Sequence, residues 1–381
     1  MPRNAGRGTV IKRSPGSFTI SAGNGTDPVT GKRRRIWRTI KTTSKRVARK
    51  ELTKLLAEID NGTVATSGHM TAGEWHDKWL HENVRLRNSP RTAQGYKSHV
   101  DIWIKPQFGH VRLDALSPSH VQQLMARIFD KGRSANTANH VFTTLRLSLK
   151  DAVRQGMITR NVCDAVDRPK VQQFAPNPPD LRGIKSILNE AKGTEYEAIL
   201  DFMVATGCRR GEAVALKWEH VDLDKGVVSI VSSAVRVKGQ GQILNPTKTT
   251  SSKRGISLDD SITANLRRHR SNQTEYIMSV ADIYAHNDFV FANASGNMID
   301  LDHLSQAFKR IARRAGCPHS CLHDLRHFHA TALIASGAHV CVVQDRLGHS
   351  SAAFTLNRYG HVAAGLQEQA AARFELLMNS D

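Results

Sequence analysis

The spacing of apolar side chains predicts a small β-sheet and one helix in the first 60 residues. Runs of β-prone residues occupy positions 8–13, 17–21 and 35–41, with glycine, proline and asparagine between them. A helix is predicted from Ser44 to about Asp60. Its apolar stripe consists of Ala48, Leu52, Leu55, Leu56 and Ile59.

The third β-prone run alternates in a way that assigns its side chains to two faces of the sheet. Ile36 and Ile40 fall on one face, whereas Trp37, Thr39 and Lys41 fall on the other.

Residues 71–172 show helical apolar spacing and are predicted to be all-helical. The predicted helices are residues 71–83, 89–105, 117–131 and 135–155. Their breaks are predicted at Asn88-Ser89-Pro90, Pro106, Gly109 and Gly132.

From residue 181 onward the pattern is mixed. Two helices, at residues 181–191 and 195–206, precede a β-rich stretch, and the final 60 residues are helical with short breaks. The predicted strands are residues 227–231, 234–238, 242–245 and 255–258. Two further helices are predicted after these strands, at residues 261–285 and 302–315. The predicted fold class is therefore multidomain, mainly α with small β-sheets.

Two turn-rich segments divide the chain. Residues 61–70 are small and polar, and residues 173–180 are rich in proline. A length of 381 residues predicts two or three domains. The segments place them at residues 1–60, 71–172 and 181–381.

Charge indicates the class of partner. The chain carries 54 basic and 34 acidic residues, a net charge of +20. Residues 1–70 hold 15 of the basic and 4 of the acidic residues, so over half of the excess lies there. Such a balance favours a nucleic acid partner, with a generally basic or ribosome-associated protein as the alternative. A basic sheet backed by a helix can lay its open face in a DNA groove, although it could also be a solvated basic surface.

Cysteine usage and hydropathy bear on location. Five cysteines, an odd number without a disulfide framework, together with no signal peptide, favour a reducing cytoplasm. No apolar run approaches the ~18 residues of a membrane span, so no membrane association is predicted.

A set of polar residues predicts phosphodiester chemistry without metal ligands. In order, these are Arg209, His323-Asp324-Leu325-Arg326, Leu347-Gly348-His349 and Tyr359. Tyrosine has a pKa of about 10, which leaves roughly one molecule in a thousand ionised at neutral pH. A tyrosine that attacks phosphorus therefore needs cations on the phosphate and proton carriers nearby. Arginine and histidine are the residue types that supply them.

The local context of these residues predicts how they are presented. His323 and Arg326 are i and i+3 on one helix face, and we expect this pair to point away from the core. The expected buried stripe of that helix is Leu325, Phe328 and Ala332. The next helix is predicted at residues 340–347. Gly348 is expected to end it, so that His349 follows directly after the helix.

Several nearby residues receive structural interpretations instead. Cys317-Pro318-His319-Ser320-Cys321 resembles a metal-ligand cluster but lacks a second pair, so no metal is predicted. His327 and His329 are predicted to pack or to form hydrogen bonds, and Cys208 is predicted to be a small core residue.

In order and spacing, the motifs resemble those of the tyrosine recombinase (phage integrase) family. They are Thr206-Gly207-Cys208-Arg209-Arg210-Gly211-Glu212, His323-Asp324-Leu325-Arg326-His327, Leu347-Gly348-His349-Ser350 and Arg358-Tyr359-Gly360-His361. Residues 71–172 resemble the family's helical-bundle core-binding domain, and residues 181–381 its mixed α+β catalytic domain. Residues 1–60 resemble the three-stranded arm-binding domain of temperate-phage and conjugative-element integrases.

The resemblance implies roles at the phosphate. Arg209 and Arg326 would grip its non-bridging oxygens, and Glu212 would brace the Arg209 segment. Arg210 is the alternative to Arg209. Tyr359 would form a 3′-phosphotyrosine, which keeps the bond energy, so that strands rejoin without ATP or another cofactor.

The resemblance also implies the proton carriers. Lys248 would protonate the leaving 5′-oxygen, with Lys253 in the same predicted hairpin, residues 246–254, as the alternative. His323 and His349 would orient the phosphate and handle the proton of Tyr359.

Partners follow from the same resemblance. The sheet would contact DNA through Arg33, Arg34, Arg35, Trp37, Arg38 and Lys41. The expected partners are double-stranded DNA with core and arm sites, a homotetramer on that DNA, and a directionality factor or DNA-bending host protein. A tail helix would dock into a neighbouring protomer, with packing in cis as the alternative. Its apolar positions are Leu366, Ala370, Phe374, Leu377 and Met378.

The resulting hypothesis is a site-specific DNA recombinase that integrates and excises a mobile element in a bacterial host cell. The alternatives are a topoisomerase-like nicking-closing enzyme, a host-type chromosome resolvase and a catalytically silent DNA-binding regulator. The complete set of catalytic residue types argues against the last of these.

Overall fold

A computed structural model describes residues 8–26, 33–60, 70–171, 178–237, 239–246, 253–280, 283–349, 351–359, 375, 378 and 379. The chain divides into two compact units, Met1–Gln172 and Gln173–Asp381. Within the described ranges, no helix has the length and apolar character needed to cross a membrane.

The first unit begins with an antiparallel sheet of three strands, β1 (Gly8–Ser14), β2 (Ser17–Thr26) and β3 (Arg33–Lys41), in that spatial order. Helix α1 (Lys45–Asp60) covers one face, because its apolar stripe meets the alternate residues of the strands. The core they form contains Phe18, Ile20, Ala22, Ala48 and Leu55, with Val10, Ile36, Ile40, Leu52, Leu56 and Ile59 packed against it. The predicted faces of β3 and the predicted stripe of α1 are confirmed.

Residues 70–171 of the first unit are mainly helical, as predicted. Its helices are α2 (Ala72–Trp79), α3 (Arg85–Arg87), α4 (Pro90–His99), α5 (Lys105–Phe108), α6 (Pro118–Asp130) and α7 (Ala135–Arg154), with 3-10 turns at Leu113–Ala115 and Val162–Ala165. Two tryptophans of α2 anchor it to α7, because their indole nitrogens donate to buried polar groups. Trp75 donates to Ser148 at 2.9 Å, and Trp79 donates to Asp151 at 2.8 Å.

Contrary to the prediction, Pro106 does not break the helix. The backbone forms a π-helical turn at Val100–Ile104 and continues as α5 through Phe108, with Pro106 in its first turn. A π turn widens the helix, which relieves the clash of a proline ring with the preceding turn. A similar turn at Leu80–Val84 joins α2 to α3.

In the described residues of the second unit, helices are combined with two small sheets. Its helices are α8 (Leu181–Ala191), α9 (Glu197–Thr206), α10 (Arg210–Val214), α11 (Asp260–Val280), α12 (Leu301–Arg314), α13 (Leu322–Ala335), α14 (Val340–Leu347) and α15 (Ala352–Tyr359), with a 3-10 turn at Trp218–His220. Its strands are β4 (Val221–Asp222), β5 (Val227–Ile230), β6 (Ser232–Val237), β7 (Gly241–Pro246) and β8 (Arg254–Ser257). One hydrophobic cluster runs from α8 through the strands to α13.

The strand pairing corrects one expectation about the predicted hairpin of residues 246–254. Strand β7 pairs with β6, whereas β8 pairs with β5 in a sheet of order β4-β5-β8. The described strands on either side of residues 247–252 therefore belong to different sheets and do not form a hairpin with each other. Burial explains why β8 pairs with β5, because Ile256 of β8 lies in the core beside Val228 of β5.

Candidate active site

Arg209 lies where α9 ends and α10 begins. The chain leaves α9 through Gly207, whose φ of 63° is left-handed, and a Cβ there would lie 2.6 Å from Cδ2 of His329. Conformation and space therefore both require glycine. Glu212 of α10 accepts hydrogen bonds from the backbone nitrogen of Arg209 at 2.8 Å and from its Nη1 at 2.7 Å. The Arg209 side chain remains 41% exposed.

Arg210 is directed to a different part of the unit. Its Nη1 donates to the carbonyl of Leu301 at 2.8 Å and to the hydroxyl of Ser305, both in α12. Arg209 and Arg210 therefore have separate surroundings, and Arg209 is the one beside the other predicted site residues.

Arg326 is buried, contrary to the expectation that it points away from the core. Only 2% of its surface is exposed, whereas the expected core residue Ala332 is exposed. Helix α13 is packed on several sides, and backbone carbonyls compensate the buried guanidinium. Nη1 of Arg326 donates to the carbonyl of Gly207 at 2.8 Å, and Nη2 donates to that of Leu347 at 2.8 Å.

The C-terminal end of α14 accepts hydrogen bonds from three arginines at successive carbonyls, residues 346–348. Nε of Arg254 donates to the first at 2.8 Å, Nη2 of Arg326 to the second at 2.8 Å, and Nη2 of Arg209 to the third at 3.1 Å. These carbonyls lie at the negative end of the helix and lack partners within it, so they suit guanidinium donors. His349 follows directly.

The end of α14 is formed as predicted. Gly348 has a φ of 64° and occupies the left-handed C-cap position. A Cβ there would lie 3.0 Å from Nη1 of Arg254, which shows how closely the guanidinium packs on this turn.

Glu212 and Arg254 form a buried ion pair. The Glu212 carboxylate accepts from Nη1 of Arg254 at 3.3 Å and from Nη2 at 2.8 Å, and the two side chains are 4% and 5% exposed. Burial alone would raise the pKa of Glu212, but the hydrogen bonds and charge of Arg254, with those of Arg209, hold it below its usual value. Sequence analysis missed Arg254, because neither its neighbours nor its spacing signals burial.

His349 is buried among cations. Its side chain is 6% exposed, and Nδ1 forms a 2.8 Å hydrogen bond with the hydroxyl of Thr355 in α15. Burial lowers the pKa of His349 to about 3, and the charges of Arg326 and Arg209 contribute. The imidazole is therefore neutral at physiological pH.

A second pair, Arg346 of α14 and His329 of α13, connects these two helices, and of the two only Arg346 was missed from the sequence. Nε of Arg346 donates to Nε2 of His329 at 3.1 Å, and Nδ1 of His329 bonds the carbonyl of Val204 at 2.9 Å. Burial lowers the pKa of His329 to about 4, with the Arg346 charge as the next cause. The prediction that His329 has a structural hydrogen-bonding role is confirmed.

The remaining predicted residues are described to different extents. His323 is exposed in the first turn of α13, and its ring lies edge-on to that of His327 at 4.5 Å. Tyr359, the candidate nucleophile, is the last residue of α15. The same helix carries Thr355, whose hydroxyl forms the hydrogen bond with His349. Lys248 and most of the predicted tail helix lie outside the described residues, although the described Met378 is exposed.

Cys321 has a local structural role. It precedes α13, and its backbone nitrogen donates to the Asp324 carboxylate at 2.7 Å, which caps the helix that carries Arg326. Among the residues that the structure describes, no three histidine, cysteine or acidic side chains gather as a metal site. Cys208 is fully buried, as predicted.

The N-terminal sheet separates its predicted DNA contacts onto two faces. Arg35 and Trp37 lie on the open face, where Arg35 donates to Thr9 and Ser21 at 3.2 Å each and its guanidinium lies 5.8 Å from the Trp37 ring centre. Arg38 lies on the helix side and pairs with Glu58 of α1 at 2.8 Å.

The other predicted contacts of β3 follow the same alternation. Arg33 and Lys41 are exposed and share the register of Arg35 and Trp37. The side chain of Arg34 lies outside the described residues.

Comparison with known proteins assigns both units to one family. The phage integrase family matches residues 180–365, and the N-terminal SAM-like domain of phage integrases matches residues 71–129.

Individual relatives agree. A tyrosine recombinase XerC-like protein of Caldanaerobacter subterraneus subsp. tengcongensis is 28% identical, over 84% of this chain and 86% of its own length. The ICEBs1 integrase of Bacillus subtilis is 24% identical, over 97% of this chain and 100% of its own length. The Tn1549 transposon integrase, solved in complex with transposon right end DNA, shares the fold. Its TM-score is 0.67 at 21% identity, over 81% of this chain and 100% of that chain.

The fold is that of the tyrosine recombinase integrases. The chain belongs to the phage integrase family, and its class of activity is site-specific DNA recombination.

Proposed function

We propose that this protein is an integrase that inserts and excises a mobile element by cutting and rejoining DNA through Tyr359. The observation that carries the proposal is the convergence of Arg209 and Arg326 on adjacent carbonyls beside His349. Arg209 and its acceptor Gly348 are 139 residues apart in the sequence. Two fixed guanidinium groups so placed are suited to one phosphate, because each can donate two parallel hydrogen bonds to its oxygens.

In the proposed reaction, Tyr359 attacks phosphorus and the bond between phosphorus and the 5′-oxygen breaks. Arg209 and Arg326 hold the non-bridging oxygens as charge develops. Lys248 donates a proton to the leaving 5′-oxygen. A 5′-hydroxyl of another strand then attacks the phosphorus of the 3′-phosphotyrosine and gives its proton to Lys248. The bond between phosphorus and the tyrosine oxygen breaks, and Tyr359 regains the proton that it had given up.

The two histidines take different parts in this scheme. His349 is neutral and buried, so it donates a hydrogen bond to the phosphate and holds α15 through Thr355. His323 is exposed at the start of α13, and we assign it the proton from Tyr359.

No metal ion or ATP is required in the proposed reaction. Guanidinium groups compensate the charge on the phosphate, and the phosphotyrosine retains the energy needed for rejoining. Cleavage and rejoining should therefore proceed in EDTA without added nucleotide.

Double-stranded DNA is the proposed partner, which agrees with the DNA complex of the Tn1549 integrase. Residues 1–60 would bind arm sites through the face that carries Arg35 and Trp37. Residues 71–172 and 181–381 would clamp the core site. We further propose a homotetramer on the paired sites, joined through the tail helix, and a directionality factor or DNA-bending host protein as accessory partner.

A host-type chromosome resolvase is the second candidate, and the XerC-like relative favours it. The basic three-stranded sheet at the N-terminus favours an integrase. Deleting residues 1–60 separates the two. An integrase should lose arm-site binding while retaining covalent attack at the core site, whereas a resolvase should recombine unchanged.

The test of the chemistry is a nicked suicide substrate that carries the attachment core site, from which the released strand cannot rejoin. The wild-type protein should accumulate a covalent protein–DNA adduct in EDTA, visible as a band shift after denaturation. Tyr359→Phe should bind the same DNA and form no adduct. An adduct with Tyr359→Phe would identify a different nucleophile and contradict the proposal.

A further inference from the structure

Arg254 is not one of the two candidate catalytic arginines, but like them it donates hydrogen bonds to the end of α14. We propose that Arg254 is a positioning residue, which holds Glu212 and the end of α14 together so that Arg209 keeps its place and its charge for the scissile phosphate. This inference rests on the proposed function and extends it.

The contacts of Arg254 use all three of its nitrogens. Nε donates to the carbonyl of Arg346 at 2.8 Å, while Nη1 and Nη2 donate to the Glu212 carboxylate at 3.3 and 2.8 Å. The side chain is 5% exposed, and each of its three nitrogens donates to an acceptor of the protein. A flat fork with three donors suits this geometry, and an ammonium group cannot reproduce it.

Arg209 depends on the same two elements. Its guanidinium bonds Glu212 through Nη1 at 2.7 Å and the carbonyl of Gly348 through Nη2 at 3.1 Å. Arg254 fixes the first of these acceptors directly. It fixes the second through the carbonyl of Arg346, two residues earlier in the same turn of α14.

Charge balance gives Arg254 a second effect. Glu212 carries one negative charge and contacts two guanidinium groups, so the trio keeps a net positive charge. Without Arg254, the carboxylate would be shared with Arg209 alone and would neutralise it. A neutralised pair binds an anionic phosphate less strongly, and most so in a buried, low-dielectric site.

The experiment uses full-length Arg254→Lys with the nicked suicide substrate. Three versions of the substrate are compared, which carry at the scissile position a natural phosphate or one of the two stereoisomers of a methylphosphonate. On phosphate, adduct formation should slow by about 30- to 100-fold, while the dissociation constant for the DNA changes by less than about 3-fold. In one methylphosphonate stereoisomer, a neutral methyl group replaces the oxygen that Arg209 would hold. With that isomer, the defect should shrink at least about 5-fold, since the disturbed contact is no longer used.

A loss of the same size on all three substrates would show general damage to the fold and overturn the inference, as would an unimpaired Arg254→Lys. The matched control is Arg314→Lys, which changes an arginine of the same unit that is 57% exposed and paired with Glu190. It should stay within about 2-fold of the wild type, because exposed ion pairs contribute little.

Two further measurements separate the possible failures. If Arg254→Lys does not fold, the double variant Glu212→Gln/Arg254→Gln removes both buried charges together and should fold. It should show the same substrate-dependent loss, and a uniform loss would again overturn the inference. Absence of a wild-type adduct would contradict the proposed function. If the wild type forms the adduct but the variants lose adduct formation equally on all three substrates, only the role of Arg254 is contradicted.

Discussion

Arginines occupy two regions of this protein in opposite surroundings. In the second unit, Arg254 and Arg326 are buried and donate to backbone carbonyls of remote segments. In the N-terminal sheet, Arg35 is exposed, with its guanidinium 5.8 Å from the ring centre of Trp37. The first arrangement fixes a charge in one geometry, as a reaction at one phosphate requires. The second keeps a charge at the surface, where we propose that it meets a DNA backbone.

The two arrangements should also differ in energetic cost. A buried charge is expensive to desolvate and is tolerated only with good partners, so its removal disturbs both fold and chemistry. An exposed charge contributes little to stability and is screened by salt.

The largest effect is expected for Arg326→Lys. Lysine keeps the charge but cannot donate to the carbonyls of Gly207 and Leu347 and to a phosphate at the same time. Adduct formation on the suicide substrate should fall by about 100- to 1000-fold. The local free energy of unfolding of α13, measured by native-state hydrogen exchange, should fall by about 2–4 kcal/mol.

Arg210→Lys is the matched control, since Arg210 bonds the Leu301 carbonyl of α12. It should retain adduct formation within about 3-fold, because its contacts are structural. A loss at Arg210 as large as that at Arg326 would mean that the phosphate is bound elsewhere.

A smaller effect is expected from acid. Unfolded histidines take up a proton near pH 6.5, whereas folded His349 and His329 stay neutral down to a pKa of about 3 and about 4. The unfolded chain therefore binds more protons below about pH 6.5, and stability falls as the pH falls. At about pH 5, each histidine should cost about 2 kcal/mol relative to pH 7.5.

Hydrogen exchange of α13 and α14, corrected for intrinsic rates, measures this loss of stability. His349→Gln should remove about 2 kcal/mol of the loss of stability between about pH 7.5 and pH 5, whereas the exposed His303→Gln should leave that loss unchanged. An unchanged acid dependence in His349→Gln would show that His349 is not held neutral by the buried cluster.

The sequence predicted the features that repeat at short range. Alternation in β3 placed Ile36 and Ile40 in the core, and helical spacing identified the stripe of α1. The order of the motifs also predicted that Arg209 and Arg326 lie close together, and both donate to adjacent carbonyls at the end of α14.

The burial of Arg326 and Arg254 could not be predicted in this way. A guanidinium is buried only where remote carbonyls or carboxylates meet it, and those partners are set by the packing of α9, α10 and α14. Pro106 was misjudged for a related reason, because a π turn that accommodates the ring leaves no mark in the apolar spacing.

The smallest effect is expected on the open face of the N-terminal sheet, where the contrast between buried and exposed arginines can be tested. Arg35→Gln should weaken binding of the full-length protein to a DNA duplex of unrelated sequence by about 1 kcal/mol. It should also reduce the salt dependence by roughly one phosphate contact, with unfolding unchanged. Arg38→Gln changes the same residue type on the helix face, where the side chain pairs with Glu58, and should alter binding by less than about 2-fold. If both variants weaken binding equally, DNA does not lie on the face that carries Trp37. If Arg35→Gln instead destabilises α1, its bonds to Thr9 and Ser21 are structural, and the exposed arginine resembles the buried ones after all.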